Sequence, residues 1–107
     1  MRFSRLATAL AIAGALTATS AQAVTEISFW HAMEGPLGDR VNAIVAAFNK
    51  ANPDYDVKAV YKGSYSETMN AGIAAFRAGN SPDILQVFEV GTATMMAAKG
   101  AVVPVQQ

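Results

Sequence analysis

The sequence predicts an α/β fold in which a parallel-rich sheet is flanked by helices. Three observations carry that expectation. Apolar residues alternate in short runs at 26–30 and 57–61; the stretches that follow space apolar residues at helical intervals; and Gly, Pro and Asn separate the two kinds of segment. Strand and helix then alternate three times, the pattern of parallel strands joined by crossover helices.

The first strand is Glu26-Ile27-Ser28-Phe29-Trp30, with Ile27 and Phe29 on one face. Met33-Glu34-Gly35-Pro36 interrupts the alternation, and Pro36 suits a first helical turn, where its missing N–H would have had no partner. Leu37, Val41, Ile44, Val45 and Phe48 form one stripe of a 3.6-residue period, so a helix is expected to run from there to Asn52-Pro53 with this stripe buried. A second strand spans Val57 to Tyr61. Ser64-Tyr65-Ser66-Glu67 has the spacing of a capping box opening a second helix. Met69, Ile73 and Phe76 are its inward stripe, and Gly79 is placed for a left-handed cap. Gly72 falls on that stripe at a cost of about 1 kcal/mol relative to alanine, and close packing on the sheet is the expected reason. Ile84-Leu85-Gln86-Val87 reads as a strand covered on both faces. A third helix is expected from Thr92 to Lys99, closed by Gly100, and Val102 to Val105 as a short edge strand because of Pro104.

The first 23 residues have a separate meaning. Arg2 and Arg5 precede an apolar run from Leu6 to Leu16, and Ala21-Gln22-Ala23 supplies the small-x-small pattern of a signal peptidase site. The run is about half of the roughly 20 residues a bilayer span needs, so cleavage before Val24 is expected rather than a permanent anchor. The chain has no cysteine, hence no lipid acceptor, disulfide or thiolate metal site. A soluble periplasmic product, residues 24–107, is the expectation. Removal of Arg2 and Arg5 leaves six basic residues against eight acidic ones, a net charge of −2, scattered along the chain. Nothing in that balance favours nucleic acid or an anionic membrane surface.

In open parallel sheets ligands sit beyond the carboxyl ends of the strands. The candidate site is therefore Trp30-His31, Gly63 to Tyr65, and Phe88-Glu89. No phosphate-cradling glycine loop, G-x-S-x-G elbow or paired-His metal motif occurs, so no catalytic residue, metal site or cofactor is assigned. His31, the single histidine, reads more readily as a structural hydrogen-bonding residue than as a ligand contact, and Trp30 as packing. The residues alone leave Tyr65 evenly between the buried stripe and a ligand contact. Glu89, between Phe88 and Val90, reads as a partly desolvated carboxylate; a solvated loop acid competes with an acceptor for ligand hydroxyls. Asp54, Asp56 and Asp83 read as solvated turn carboxylates on the opposite edge, not as a metal cluster.

Phe29-Trp30-His31-Ala32-Met33-Glu34-Gly35, Ala51 to Tyr55 with Tyr61-Lys62-Gly63, and above all Ala71 to Asn80 running on through Ile84 to Val87 and Glu89 to Met96 resemble a known group. It is the glycerol-3-phosphate-binding receptors among the extracellular solute-binding proteins of bacterial ABC importers. The resemblance covers essentially all of residues 24–107. It implies part of the N-terminal lobe of a two-lobed, type II periplasmic binding protein. It also implies capture of sn-glycerol 3-phosphate, or diesters such as glycerophosphocholine, for delivery by a monomeric receptor to an inner-membrane ABC permease, with no enzyme activity. In that family a tyrosine opening the second helix and a glutamate after the third strand contact the ligand, and by position these are Tyr65 and Glu89. Trp30 and His31 are candidates for ligand-adjacent residues from their place at the end of the first strand alone.

Family members are several times longer, and their phosphate contacts come mostly from later in the chain. Arg40 and Arg77 lie away from the expected pocket, so this chain by itself is expected to bind very weakly or not at all. Two other classes are weighed against this reading: an oligosaccharide receptor of the same fold, and, remotely, a small secreted hydrolase using His31 as base.

Overall fold

A computed structural model describes residues 22–106; the leader-peptide reading of residues 1–23 lies outside them but for its last two residues. Three strands and three helices alternate: β1 (Thr25–His31), α1 (Gly35–Ala51), β2 (Tyr55–Tyr61), α2 (Tyr65–Arg77), β3 (Ile84–Leu85) and α3 (Thr92–Ala97), with a single 3₁₀ turn at Glu89–Gly91 before α3. The sheet order is β2-β1-β3 and both pairings are parallel. The register sets Thr25 beside Tyr55 through His31 beside Tyr61, and Phe29 and Trp30 beside Ile84 and Leu85. Because β2 and β3 flank β1 on opposite sides, right-handed crossovers put α1 and α2 on opposite faces. The predicted α/β class stands, with β1 and β2 slightly longer than the alternating apolar residues marked.

Helix α1 departs from expectation in its rotation. Pro36 lies in the first turn and Gly35 takes the left-handed conformation (φ 53°) that brings the chain into it. Val41 and Val45 turn inward with the buried Gly38, whereas Leu37, Ile44 and Phe48 of the predicted buried stripe are exposed, Ile44 at 70%. Asn49 supplies the physical reason. Its Oδ1 accepts from the Val57 N–H at 2.9 Å and its Nδ2 donates to the Val57 carbonyl at 3.1 Å, so the amide pairs with β2 as a further strand would. That bond pair fixes the helix with Asn49, not Phe48, against the sheet and covers part of an otherwise open strand edge.

Helix α2 follows its sequence signals closely. Ser64 Oγ accepts from the Glu67 N–H at 3.3 Å and Glu67 Oε2 accepts from the Ser64 N–H at 2.7 Å, completing the capping box. These bonds hold the Glu67 carboxyl below its ordinary value, the backbone N–H contributing most. At the other end the Asn80 N–H reaches the Ala75 carbonyl at 2.8 Å and the Gly79 N–H the Phe76 carbonyl at 3.0 Å, with Gly79 at φ 72°, which is a Schellman ending. Gly72 is buried, and a Cβ there would stand 2.5 Å from Leu85 Cδ2. The missing side chain is what lets α2 lie on β3.

The last third of the chain is more irregular than expected. Strand β3 stops after Leu85, two residues short of the predicted run, and Ile84 is exposed rather than covered on both faces. The cause is that β1 ends at His31. Only the Gln86 N–H continues the ladder, to the Trp30 carbonyl at 2.9 Å. Helix α3 ends at Ala97 rather than Lys99, tightening into an Ala98 N–H to Met95 carbonyl bond, and Gly100 turns the chain at φ 80°. Val102 to Val105 form no strand; no neighbouring strand among the described residues offers them a ladder, and Val103 and Val105 are exposed.

Among the described residues no large apolar side chain is fully buried; the buried positions are His31, Thr68 and glycines 38, 72 and 91. Asp83 is not a free turn carboxylate. Its Oδ2 accepts from both the Ser28 N–H and the Ser28 hydroxyl at 2.8 Å, and the Ser28 Oγ accepts from the Asp83 N–H at 3.0 Å. The Ser28 backbone bond, then its hydroxyl, hold the Asp83 carboxyl below its ordinary value. Asp56 pairs with Lys58 at 2.7 Å and accepts from Asn49. No described helix is long and apolar enough to cross a membrane.

Candidate ligand-binding edge

All three strands run the same way, so the segments following His31, Tyr61 and Leu85 emerge at one edge of the sheet. They are tied to one another by hydrogen bonds. The Lys62 N–H donates to the His31 carbonyl at 2.9 Å, and the Ala32 N–H donates to Gln86 Oε1 at 2.9 Å. Thr68, with 0% of its surface exposed, places Oγ1 at 3.4 Å from the His31 carbonyl and 3.3 Å from the Gly63 carbonyl. Its one hydroxyl proton can serve only one of these at a time. The end of β1 is thereby clamped from β2, α2 and β3 together. Thr68 and Gln86 were not singled out from the sequence; a glutamine inside the apolar run 84–87 was the available signal.

Tyr65 occupies the first position of α2 and is 43% exposed, so its ring is not part of the buried stripe. It meets Phe88: the ring centroids are 5.5 Å apart with the planes tilted by 31°. Phe88 immediately precedes the turn that carries Glu89. Tyr65 and the Glu89 turn, separate in sequence, are therefore neighbours in the fold. Glu89 itself is exposed, which overturns the expectation of partial desolvation. The turn at 89–91 explains this: the Gly91 N–H bonds back to the Phe88 carbonyl at 2.9 Å and directs Glu89 and Val90 outward.

His31 is 3% exposed, and its Nδ1 accepts from the Met33 N–H at 3.2 Å. An accepting Nδ1 leaves the neutral ring's proton on Nε2, and the ring lies 5.5 Å from Phe29 and 6.2 Å from Tyr61, centre to centre. Beside it is an open cleft of about 330 Å³ whose lining includes His31, Glu34, Asp39, Asn42 and Tyr61. The Tyr61 hydroxyl donates to Glu34 Oε2 at 3.1 Å, and that bond, followed by desolvation, raises the phenol above its ordinary value. Trp30 is half-buried on the other face, with Lys62 Nζ 3.9 Å from the centre of its ring.

Chemically, the edge offers a phenol at Tyr65, a solvated carboxylate at Glu89 and an ammonium at Lys62. Side chains of these types can accept from hydroxyls and donate to anionic groups. The described residues contain no group of three His, Cys, Asp or Glu side chains able to hold a metal ion.

Comparison with known proteins places these residues in a wider setting. The bacterial extracellular solute-binding protein family matches residues 34–107. The chain is 58% identical over 101 residues to the sn-glycerol-3-phosphate-binding periplasmic protein UgpB of Salmonella typhimurium, which covers 94% of this chain and 23% of that protein. It is 59% identical over 102 residues to the protein of the same name from Escherichia coli strain K12, covering 95% of this chain and 22% of the relative. The chain thus spans less than a quarter of the length of these relatives.

Proposed function

The chain belongs to the bacterial extracellular solute-binding protein family, and from that premise we propose that it forms part of the N-terminal lobe of a receptor for sn-glycerol 3-phosphate and its diesters. It works in the periplasm, where residues 24–107 follow a removed leader of residues 1–23. The receptor is monomeric, performs no catalysis and hands its ligand to an inner-membrane ABC permease. Tyr65 and Glu89 are the ligand contacts. The phenol donates to an ester or phosphate oxygen and the carboxylate accepts from glycerol hydroxyls.

The observation that carries this reading is the meeting of Tyr65 with the Phe88-Glu89 turn at the carboxyl edge of a parallel sheet. The lesser alternative, an oligosaccharide receptor, needs open aromatic faces for stacking, and the Trp30 face is covered by the Lys62 ammonium. His31 as a hydrolytic base has support neither from its burial nor from its bond to the Met33 N–H. Trp30 and His31 act beside the ligand rather than on it.

The test is an NMR titration of the purified chain with sn-glycerol 3-phosphate, glycerophosphocholine and maltose. Shifts at Tyr65 and Glu89 with the two glycerol esters, reached only at millimolar concentration and lost in Glu89→Ala, are the expected result. A response to maltose without one to the esters would transfer the chain to the oligosaccharide receptors. Micromolar affinity by calorimetry would overturn the expectation that this chain alone binds weakly.

A further inference from the structure

The proposed contacts Tyr65 and Glu89 lie on different elements, and their separation must be set by something between them. Phe88 occupies that place. Its ring pairs with Tyr65 at 5.5 Å on one side, and its Cε1 lies 3.0 Å from the point where a Cβ at Gly91 would stand. The same point is 2.8 Å from Met69 Sδ of α2 and 3.0 Å from Val87 Cγ1. Gly91 is buried, its φ is an ordinary negative angle, and its N–H closes the turn onto the Phe88 carbonyl. Glycine is needed here for space, then, and not for backbone conformation. A methyl at 91 would require the Met69 side chain to move and the Phe88 ring and Val87 to give by a few tenths of an ångström.

From this packing we infer that Phe88 is the positioning residue of the site, seated by Gly91 against α2, and that it sets the orientation of Tyr65 relative to Glu89. The inference rests on the ligand contacts proposed above, but its geometric content does not need the ligand. Tyr65 is otherwise a half-exposed side chain at a helix N-terminus, where a phenol samples several rotamers. An aromatic neighbour in a tilted arrangement restricts it. Phe88 is attached to the residue bearing the carboxylate, so the restriction of one contact is transmitted to the other through a single peptide unit. Pre-set geometry of this kind lowers the ordering cost of binding.

The experiment compares the wild-type chain with Phe88→Leu, Phe88→Tyr and Gly91→Ala by NMR. Without ligand, the wild type should show one Tyr65 χ1 rotamer and cross-peaks between the rings of Tyr65 and Phe88. Phe88→Leu should give rotamer averaging at Tyr65 and faster amide exchange across 89–91, with the α2 capping-box amides unchanged; Phe88→Tyr should restore the single rotamer. Gly91→Ala should weaken the ring cross-peaks while keeping both rings. With glycerol 3-phosphate, Phe88→Leu should bind up to about tenfold more weakly, the value of an aromatic pair, and Phe88→Tyr should recover most of it. A folded Phe88→Leu variant in which Tyr65 keeps its single rotamer would overturn the inference. An ester response with no shift at Tyr65 or Glu89 would instead overturn the ligand assignment, and the ligand-free rotamer measurement would still decide the role of Phe88.

Discussion

Replacing Gly72 by alanine sets two effects against each other, and the structure supplies both magnitudes. Alanine in a helix interior is better than glycine by about 0.8–1.0 kcal/mol. Against this, the new methyl would lie 2.5 Å from Leu85 Cδ2, 3.0 Å from Cδ1 and 3.3 Å from Cγ. A χ2 turn of the leucine can clear the 2.5 Å position but leaves a methyl at the 3.0 Å position and Cγ at 3.3 Å, so full relief requires a new χ1 or a small shift of α2 off β3. Overpacking of this kind costs about 1–3 kcal/mol. Gly72→Ala should therefore range from about neutral to ~2 kcal/mol destabilising. The decisive comparison is the same substitution in a Leu85→Val background, which removes the Cδ atoms. There the helix gain should emerge, as a stabilisation of up to about 1 kcal/mol. Urea unfolding followed by far-ultraviolet circular dichroism on the four proteins of the cycle yields the coupling directly. An identical effect of Gly72→Ala in both backgrounds would refute the argument, because α2 would then not be seated on Leu85.

Three further outcomes are expected. The Asp83 carboxyl is held below its unfolded value, so its contribution to stability is complete above that value and is lost as pH falls through the lowered one. The acid limb of a stability–pH curve should accordingly flatten in Asp83→Asn, and an unchanged limb would mean that the Ser28 bonds carry no weight. Ser64→Ala removes the acceptor for the Glu67 N–H and should cost about 1 kcal/mol, measured by urea midpoint. Thr68→Val keeps the shape of a fully buried side chain while deleting its hydroxyl, and should cost about 0.5–1.5 kcal/mol, with faster amide exchange at Lys62, which bonds to the same His31 carbonyl.

Local signals were legible wherever one residue type has one physical use. Ser64 with Glu67, Gly79 after Arg77-Ala78, and Pro36 in a first turn each act within a few residues, and the structure uses all of them as the sequence implies. Gly72 was legible too, though its partner Leu85 was not. What remained hidden depends on distant partners. The rotation of α1 is decided by Asn49 reaching β2, which periodicity cannot register, and the shortness of β3 is decided by where β1 ends. At the candidate site the edge of the sheet was legible from the strand order alone. The Tyr65–Phe88 ring pair was not, since it joins an exposed helix start to a loop aromatic, and nothing in the spacing of those residues distinguishes a pair from two solitary rings. The exposure of Glu89 likewise follows from the 3₁₀ turn rather than from its apolar neighbours.

Strand β1 is the centre of the sheet and also its first strand, and this order governs when the chain can fold. None of its ladder bonds can form until β2 has been made, and the Ser28–Asp83 contacts span 55 residues of chain. Sheets whose pairings are all non-local fold slowly, and a parallel pair has no hairpin to start from. During synthesis the leading strand therefore stays without a partner while α1 and β2 are still being added. The sheet closes from its later strands back onto its first, and the N-terminal strand, though central in space, is completed only when Ile84 and Leu85 have been made.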